Sequence, residues 1–306
     1  MEHIISALIP IFSLILIGYF FKKIKFPSND FWASADKLTY YILMPSLLVY
    51  KLSTADLKNL DAKDFLFSGN ITILVVLLLC ILINIKLNTN GASFSSVVQG
   101  AVRFNTYVFL ALVSSVYGDE GLALGALLIT FAIPLINIIA ITIFAVYVND
   151  KKTTFYGLIK SIIANPLILA CIIGGSINYF DITMPIIAEN TFKILSSAAL
   201  PMGLLSVGFS LELKAIKNAK LDLFVAVFLK LFVMPVIMFF IGRYFALDTL
   251  LLSIVVIFAS MPTAPSSFVL ARQLGGDVKL MAAIITLQTI VSIFTISFIL
   301  GFILNQ

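Results

Sequence analysis

Displaced by 156 positions along itself, without a gap, the chain lays its punctuating residues on one another. Pro10 meets Pro166, Gly18 meets Gly174, Lys37 meets Lys193, Pro45 meets Pro201, and Asp56-Leu57-Lys58 meets Glu212-Leu213-Lys214. The chain is therefore expected to be a duplicated unit with halves 1–149 and 150–306. Each half reads as five apolar spans, and an odd number of spans forces the second copy into a membrane from the opposite side. Inverted repeats of this kind are a hallmark of secondary transporters.

The spans are read at roughly 4–21, 33–50, 65–85, 95–117, 121–147, 157–178, 187–210, 221–245, 249–270 and 280–304. Each is close to the length, about 20 residues, that crosses a hydrocarbon core as a helix. With 61% hydrophobic and 11% charged residues over 306 positions, no water-soluble domain is expected. In lipid the backbone must bond within itself, so the expected fold is all-α and integral to the membrane. Lys22, Lys23 and Lys25 follow the first span, and further lysines (Lys86, Lys151, Lys152, Lys217, Lys220) fall in alternate loops. Basic residues collect on the cytoplasmic side, so both termini are expected outside a cell membrane crossed many times. The net charge of +5 is a topology signal next to anionic lipid. It calls for no nucleic-acid partner.

An enzyme lacks its parts here. His3 is the one histidine, and no Cys, His, Asp or Glu residues stand at metal-ligand spacing. No catalytic residue, metal site or cofactor is expected. Cys80 and Cys171 each lie inside an apolar span and read as small hydrophobes, not as a disulfide.

The chemistry is instead sought where spans carry polar groups and helix breakers. Irregular backbone at membrane depth is tolerated only where it lines a cavity or is buried in protein. The fourth span carries Gln99-Gly100-Ala101-Val102-Arg103-Phe104-Asn105-Thr106-Tyr107, and the ninth carries Ser260-Met261-Pro262-Thr263-Ala264-Pro265-Ser266-Ser267. The repeat offset brings Asn105 onto Met261, directly before Pro262. Pro262 and Pro265 each lack an N–H and clash with the preceding turn, which argues against an unbroken helix there. Thr263, Ser266 and Ser267 offer hydroxyls, and a half-helix starting after Pro265 would present free N–H groups and a positive dipole end. Such an end suits a carboxylate near the bilayer midplane.

These residues resemble the auxin efflux carrier family, which includes bacterial malonate and malate carriers and the plant auxin exporters. The resemblance spans nearly the whole chain. It is carried by Arg103-Phe104-Asn105-Thr106 with Tyr117-Gly118, Asn165-Pro166 with Gly174, and Leu200-Pro201 with Gly208. It continues in Lys230 with Pro235 and in Met261-Pro262-Thr263-Ala264 before Phe268-Val269-Leu270-Ala271. It implies ten helices in two inverted five-helix repeats. Helices 1, 2, 6 and 7 would form a scaffold able to dimerise, helices 3–5 and 8–10 a transport unit, and helices 4 and 9 would break and cross at the substrate. An elevator-like movement is implied. Two departures stand out: Phe109-Leu110-Ala111 where family members often carry a crossover proline, and Ser266 where many carry asparagine.

The expected substrate-binding residues are Asn105, Arg103, Thr106, Pro262, Thr263, Pro265, Ser266 and Ser267, with Lys230 as a coupling or structural charge. Each has a plainer alternative. Asn105 could bond a neighbouring helix, Arg103 could pair structurally or reach for the interface, and the prolines could merely kink a helix. The expected activity is secondary transport of a small organic anion, a carboxylate or auxin-like acid, either proton-linked or as uniport. Alternatives are a sodium-coupled symporter, a sodium/proton antiporter, or a membrane receptor or scaffold that transports nothing.

Overall fold

The computed structural model describes residues 2–55, 62–148, 165–218 and 221–303. The repeat residues Asp56-Leu57-Lys58, the loop charges Lys151, Lys152 and Lys220, and the first part of the sixth expected span (157–164) lie outside them. Among the described residues all regular structure is helical. The helices are α1 (Glu2–Ile24), α2 (Asn29–Leu38), α3 (Met44–Thr54), α4 (Lys63–Leu87), α5 (Gly91–Val102), α6 (Thr106–Tyr147), α7 (Pro166–Tyr179), α8 (Ile186–Ser210), α9 (Leu221–Phe228), α10 (Met234–Tyr244), α11 (Thr249–Ser260), α12 (Ser266–Leu274) and α13 (Val278–Ile303).

Among the described residues, six helical segments are long and apolar enough to cross a membrane: Ser6–Ile24, Lys63–Leu87, Gly91–Tyr147, Ile186–Ser210, Leu221–Tyr244 and Val278–Phe302. The third has 57 residues. At about 1.5 Å per residue it is far longer than a hydrocarbon core of about 30 Å. It is interrupted at 103–105 and again at Gly118, whose φ of 63° and ψ of −146° suit only glycine. Pro166–Tyr179 and Thr249–Ser260 are shorter apolar helices.

Two Met-Pro pairs shape the chain locally. A proline cannot donate to the carbonyl one turn back, and its ring crowds that carbonyl. Before Pro45 and before Pro235 the helix widens into a π-helical turn, Thr39–Leu43 joining α2 to α3 and Leu229–Val233 joining α9 to α10. The Met44 and Met234 N–H groups reach back five residues, to the carbonyls of Thr39 and Leu229. The second expected span is thus a single helical run in three pieces, four residues longer at each end than its sequence reading.

The chain folds as two compact units, each drawing on both halves of the sequence. The first comprises residues 1–61, 107–130 and 160–210. Its main seam is α1 against α8, where backbones touch: a Cβ on Gly18 would stand 1.9 Å from the Leu205 carbonyl oxygen, and one on Gly208 1.9 Å from that of Ile15. In the same way α7 closes on α3 at Gly174, whose Cβ would lie 2.9 Å from the Val49 oxygen. Asn165 caps α7, its side-chain oxygen accepting from the Leu167 N–H at 2.9 Å, while Pro166 fills the first helical position. Asp36 accepts a hydrogen bond from the Ser206 hydroxyl on α8.

One ion pair of this unit, Lys51 with Asp119 at 2.5 Å, is open to solvent on the acidic side, where Asp119 is 82% exposed. Such pairs contribute about 0–1 kcal/mol. Lys51→Ala is accordingly expected to shift the melting temperature of purified protein by no more than a few degrees, and a larger drop would mean the pair ties more than it touches.

The second unit comprises 62–106, 131–159 and 211–306. Its core gathers Val97, Phe144, Leu223, Ala226, Leu231, Met281, Ala283 and Ile284 from α5, α6, α9, the π-helical turn and α13. Asp277 stitches one end: its N–H donates to the Ala92 carbonyl at 3.0 Å, it accepts from the Ser93 hydroxyl at 3.2 Å, and it caps α13 by accepting from the Leu280 N–H at 3.0 Å.

Candidate functional site

In the second unit two helices stop in mid-course. α5 ends at Val102, residues 103–105 are not helical, and α6 begins at Thr106. α11 ends at Ser260, residues 261–265 are irregular, and α12 begins at Ser266. The two interruptions touch: the Asn105 N–H donates to the Pro262 carbonyl at 2.8 Å, and the rings of Phe104 and Phe258 lie 4.4 Å apart. The break in the ninth expected span follows from its prolines. The break at 103–105 has no proline, and Arg103, in extended conformation, takes the C-cap of α5.

Stopping a helix frees main-chain groups that must find partners away from water. The Thr263 hydroxyl donates to the Gln99 carbonyl at 3.2 Å and lies 3.3 Å from the Ser267 hydroxyl. The Thr263 N–H donates to Gln288 Oε1 on α13 at 2.8 Å. The same side chain donates from Nε2 to the carbonyls of Gly100 at 2.9 Å and Ala226 at 3.1 Å. Gln288, wholly buried, therefore clamps both broken segments and α9 at once. Sequence reasoning passed over it because a lone glutamine in an apolar span resembles ordinary inter-helix glue. Its signal was its place, at the centre of a span otherwise apolar with small hydroxyls.

The structure brings Asn105, Pro262, Thr263 and Ser267 together, all buried. Thr106 opens α6 and is half-buried, as is Pro265, while Ser266 is exposed at the start of α12. One expectation is corrected: the N–H groups that open α12 are not all free. Those of Ser267 and Phe268 donate to the carbonyls of Ala264 and Pro265, both at 3.0 Å, because the Pro265 turn already has a helical bend. Arg103 donates from Nη2 to Asn137 Oδ1 on α6 at 3.2 Å, so one arm of its guanidinium is held within the unit. Lys230 lies in the second π-helical turn, fully buried, 3.2 Å from the Met234 sulfur and 6.0 Å from the centre of the Phe258 ring. Among the described residues no three His, Cys, Asp or Glu side chains gather as metal ligands, and Cys80 and Cys171 are free and buried.

Residues 155–300 match the model of a family described as membrane transport protein. A Rhizobium meliloti protein named "Putative malonate transporter" is 25% identical over 97% of this chain and 95% of its own length. The chain carries a domain of the membrane transport protein family. The transporter is also similar to uncharacterized transporters of Methanothermobacter thermautotrophicus, 22% identical over 95% of the chain and 94% of the relative, and of Methanocaldococcus jannaschii, 23% identical over 93% and 94%. The matched family and these relatives are transporters, not enzymes, and the long apolar helices make the chain a multi-pass membrane protein.

Proposed function

We propose that this transporter is a secondary carrier for a small organic anion, a carboxylate or a related acid, which it moves by elevator-like alternating access. Ten membrane-spanning helices are arranged in two inverted five-helix repeats, 1–149 and 150–306. The contact of the two interrupted segments carries the reading: irregular main chain from corresponding places of the two halves meets through Asn105 and Pro262. Such opposed breaks gather helix ends, and the starts of α6 and α12 favour negative charge.

Further observations support the inverted arrangement. Gly18 in the first span packs on the seventh, and its repeat counterpart Gly174 in the sixth packs on the second. Contacts between span ends also join loops that ten alternating passes put on one side. Lys51 meets Asp119, Asn178 donates to the Ala55 carbonyl, Thr89 meets Asp222, and Asp277 meets Ala92. The grouping of residues 1–61 and 160–210 in one compact unit supports a scaffold of helices 1, 2, 6 and 7. The name of the Rhizobium meliloti relative supports a carboxylate cargo. We take the driving force to be a proton gradient or the gradient of the anion itself, because no acidic residue stands at the middle of an expected span.

The test is uptake of labelled malate, malonate and indole-acetate into liposomes under an imposed pH gradient, with and without an uncoupler. Saturable uptake that collapses with the uncoupler indicates proton linkage, and uptake indifferent to it indicates uniport. No uptake of any acid by folded protein would sink the carboxylate reading. Asn105→Ala and Pro262→Ala are expected to reduce uptake at least tenfold, about 1.4 kcal/mol or more in the transport barrier, at unchanged membrane abundance. Wild-type flux in both would remove the site assignment.

A further inference from the structure

Lys230 and Gln99 are two buried polar side chains that the crossing itself does not use. An ammonium has three donors and no acceptor. Among the described residues the one hydrogen-bonding neighbour of Lys230 is the thioether of Met234, a weak acceptor. No carboxylate faces it from the helices packed against its turn. α5 and α11 contain no ionisable residue, α9 has Asp222 two turns earlier, and α10 has Arg243 and Tyr244 towards its far end. α13 has Lys279 in its first turn, and the neighbouring α4 has Lys63, Asp64 and Lys86 only at its ends. A charge removed from water without a counter-charge is strongly disfavoured.

Gln99 is 1% exposed, and both of its amide atoms are buried without a hydrogen-bond partner among the described residues. Its helix, α5, packs against the turn that carries Lys230. The next residue, Gly100, lies against Ala226, 3.2 Å from where a Cβ would stand, and Ala226 is one turn before Lys230. Phe258, against which Lys230 lies, also packs on Phe104 beside the crossing. A carboxylate answers both deficits, since it brings a negative charge and several acceptor positions.

We propose that Lys230 and Gln99 form a buried anion subsite behind the crossing, in which Lys230 supplies the compensating charge and Gln99 an amide donor to a carboxylate oxygen. The inference rests on the carrier reading for the identity of the cargo, though not for the existence of the site. It makes the protein select anions over neutral molecules of the same shape, because a neutral occupant leaves the lysine uncompensated.

The experiment is thermal unfolding of the purified full-length protein against sodium malonate at fixed ionic strength, with malonamide as the neutral counterpart. Malonate is expected to raise the wild-type melting temperature saturably, on the order of 5 °C, and malonamide to leave it unchanged. Lys230→Met should abolish the rise, Lys230→Arg should keep it at higher malonate, and Gln99→Leu should weaken half-saturation by about tenfold. A Lys230→Met protein that responds to malonate as the wild type does overturns the proposal. Should that variant not fold, a wild-type response in Gln99→Leu overturns it instead. Liposome uptake separates the two readings. Uptake without any malonate stabilisation removes the subsite and leaves the carrier, whereas stabilisation lost in Lys230→Met with no wild-type uptake keeps the subsite and removes the carrier.

Discussion

Gln288→Leu is expected to give a protein that inserts in the membrane, melts far below the wild type and transports nothing. The leucine fills about the same volume but leaves the Thr263 N–H and the carbonyls of Gly100 and Ala226 without their partner. Each buried main-chain group so orphaned costs about 1–3 kcal/mol, so the loss for the three should reach about 3–9 kcal/mol. Because two of the three groups belong to the interrupted segments, the loosened part is the crossing itself. Gln288→Glu separates the contributions, as it keeps an acceptor for Thr263 and removes both donors. Melting of purified protein together with liposome uptake decides the matter, and a Gln288→Leu variant as stable as the wild type would show that the clamp is dispensable.

Gly208→Ala should be at least as damaging, although it adds a single methyl group. The new Cβ would sit 1.9 Å from the Ile15 carbonyl oxygen, and Gly18→Ala would meet the Leu205 oxygen at the same distance. Overpacking a core costs about 1–3 kcal/mol when side chains can turn aside. A main-chain oxygen in a helix cannot turn aside, so α1 and α8 must separate along their seam, and the expected loss exceeds about 3 kcal/mol. Gly175 provides the control, since nothing stands within 4 Å of its would-be Cβ. Size-exclusion profiles of the three variants make the comparison. A monodisperse Gly208→Ala protein with wild-type melting would refute the backbone seam.

The helical, membrane-embedded character of the chain was legible wherever a local cause acts on a local effect. Apolar runs of fixed length report spans, and Pro262 with Pro265 reports a break because a proline removes a hydrogen bond of its own helix. The break at 103–105 was visible only as Asn105 inside a suggestive stretch, because what stabilises it is not local. Its N–H is satisfied by a carbonyl from the other half of the chain. Gln288 escaped notice for the same reason: its partners lie 25, 62 and 188 residues away and two of them are carbonyls, which every residue type possesses. The π-helical turns before Pro45 and Pro235 did have a local signal, a proline deep in an apolar run, but that signal does not distinguish a kink from the wider turn. Gly18 stands in the sequence as repeat punctuation and Gly208 within the family resemblance, and no pattern along the sequence reveals that each faces a bare carbonyl on the other's helix.

The link that joins the two interrupted helices runs from main-chain nitrogen to main-chain oxygen, at Asn105 and Pro262. No ordinary replacement of either side chain can delete it, and only a proline at 105 would take away the donor. This fastening, unlike the Gln288 clamp, is therefore written in main-chain atoms alone. If the junction is the substrate site proposed above, the side chains around it can change the preferred cargo while this one link persists.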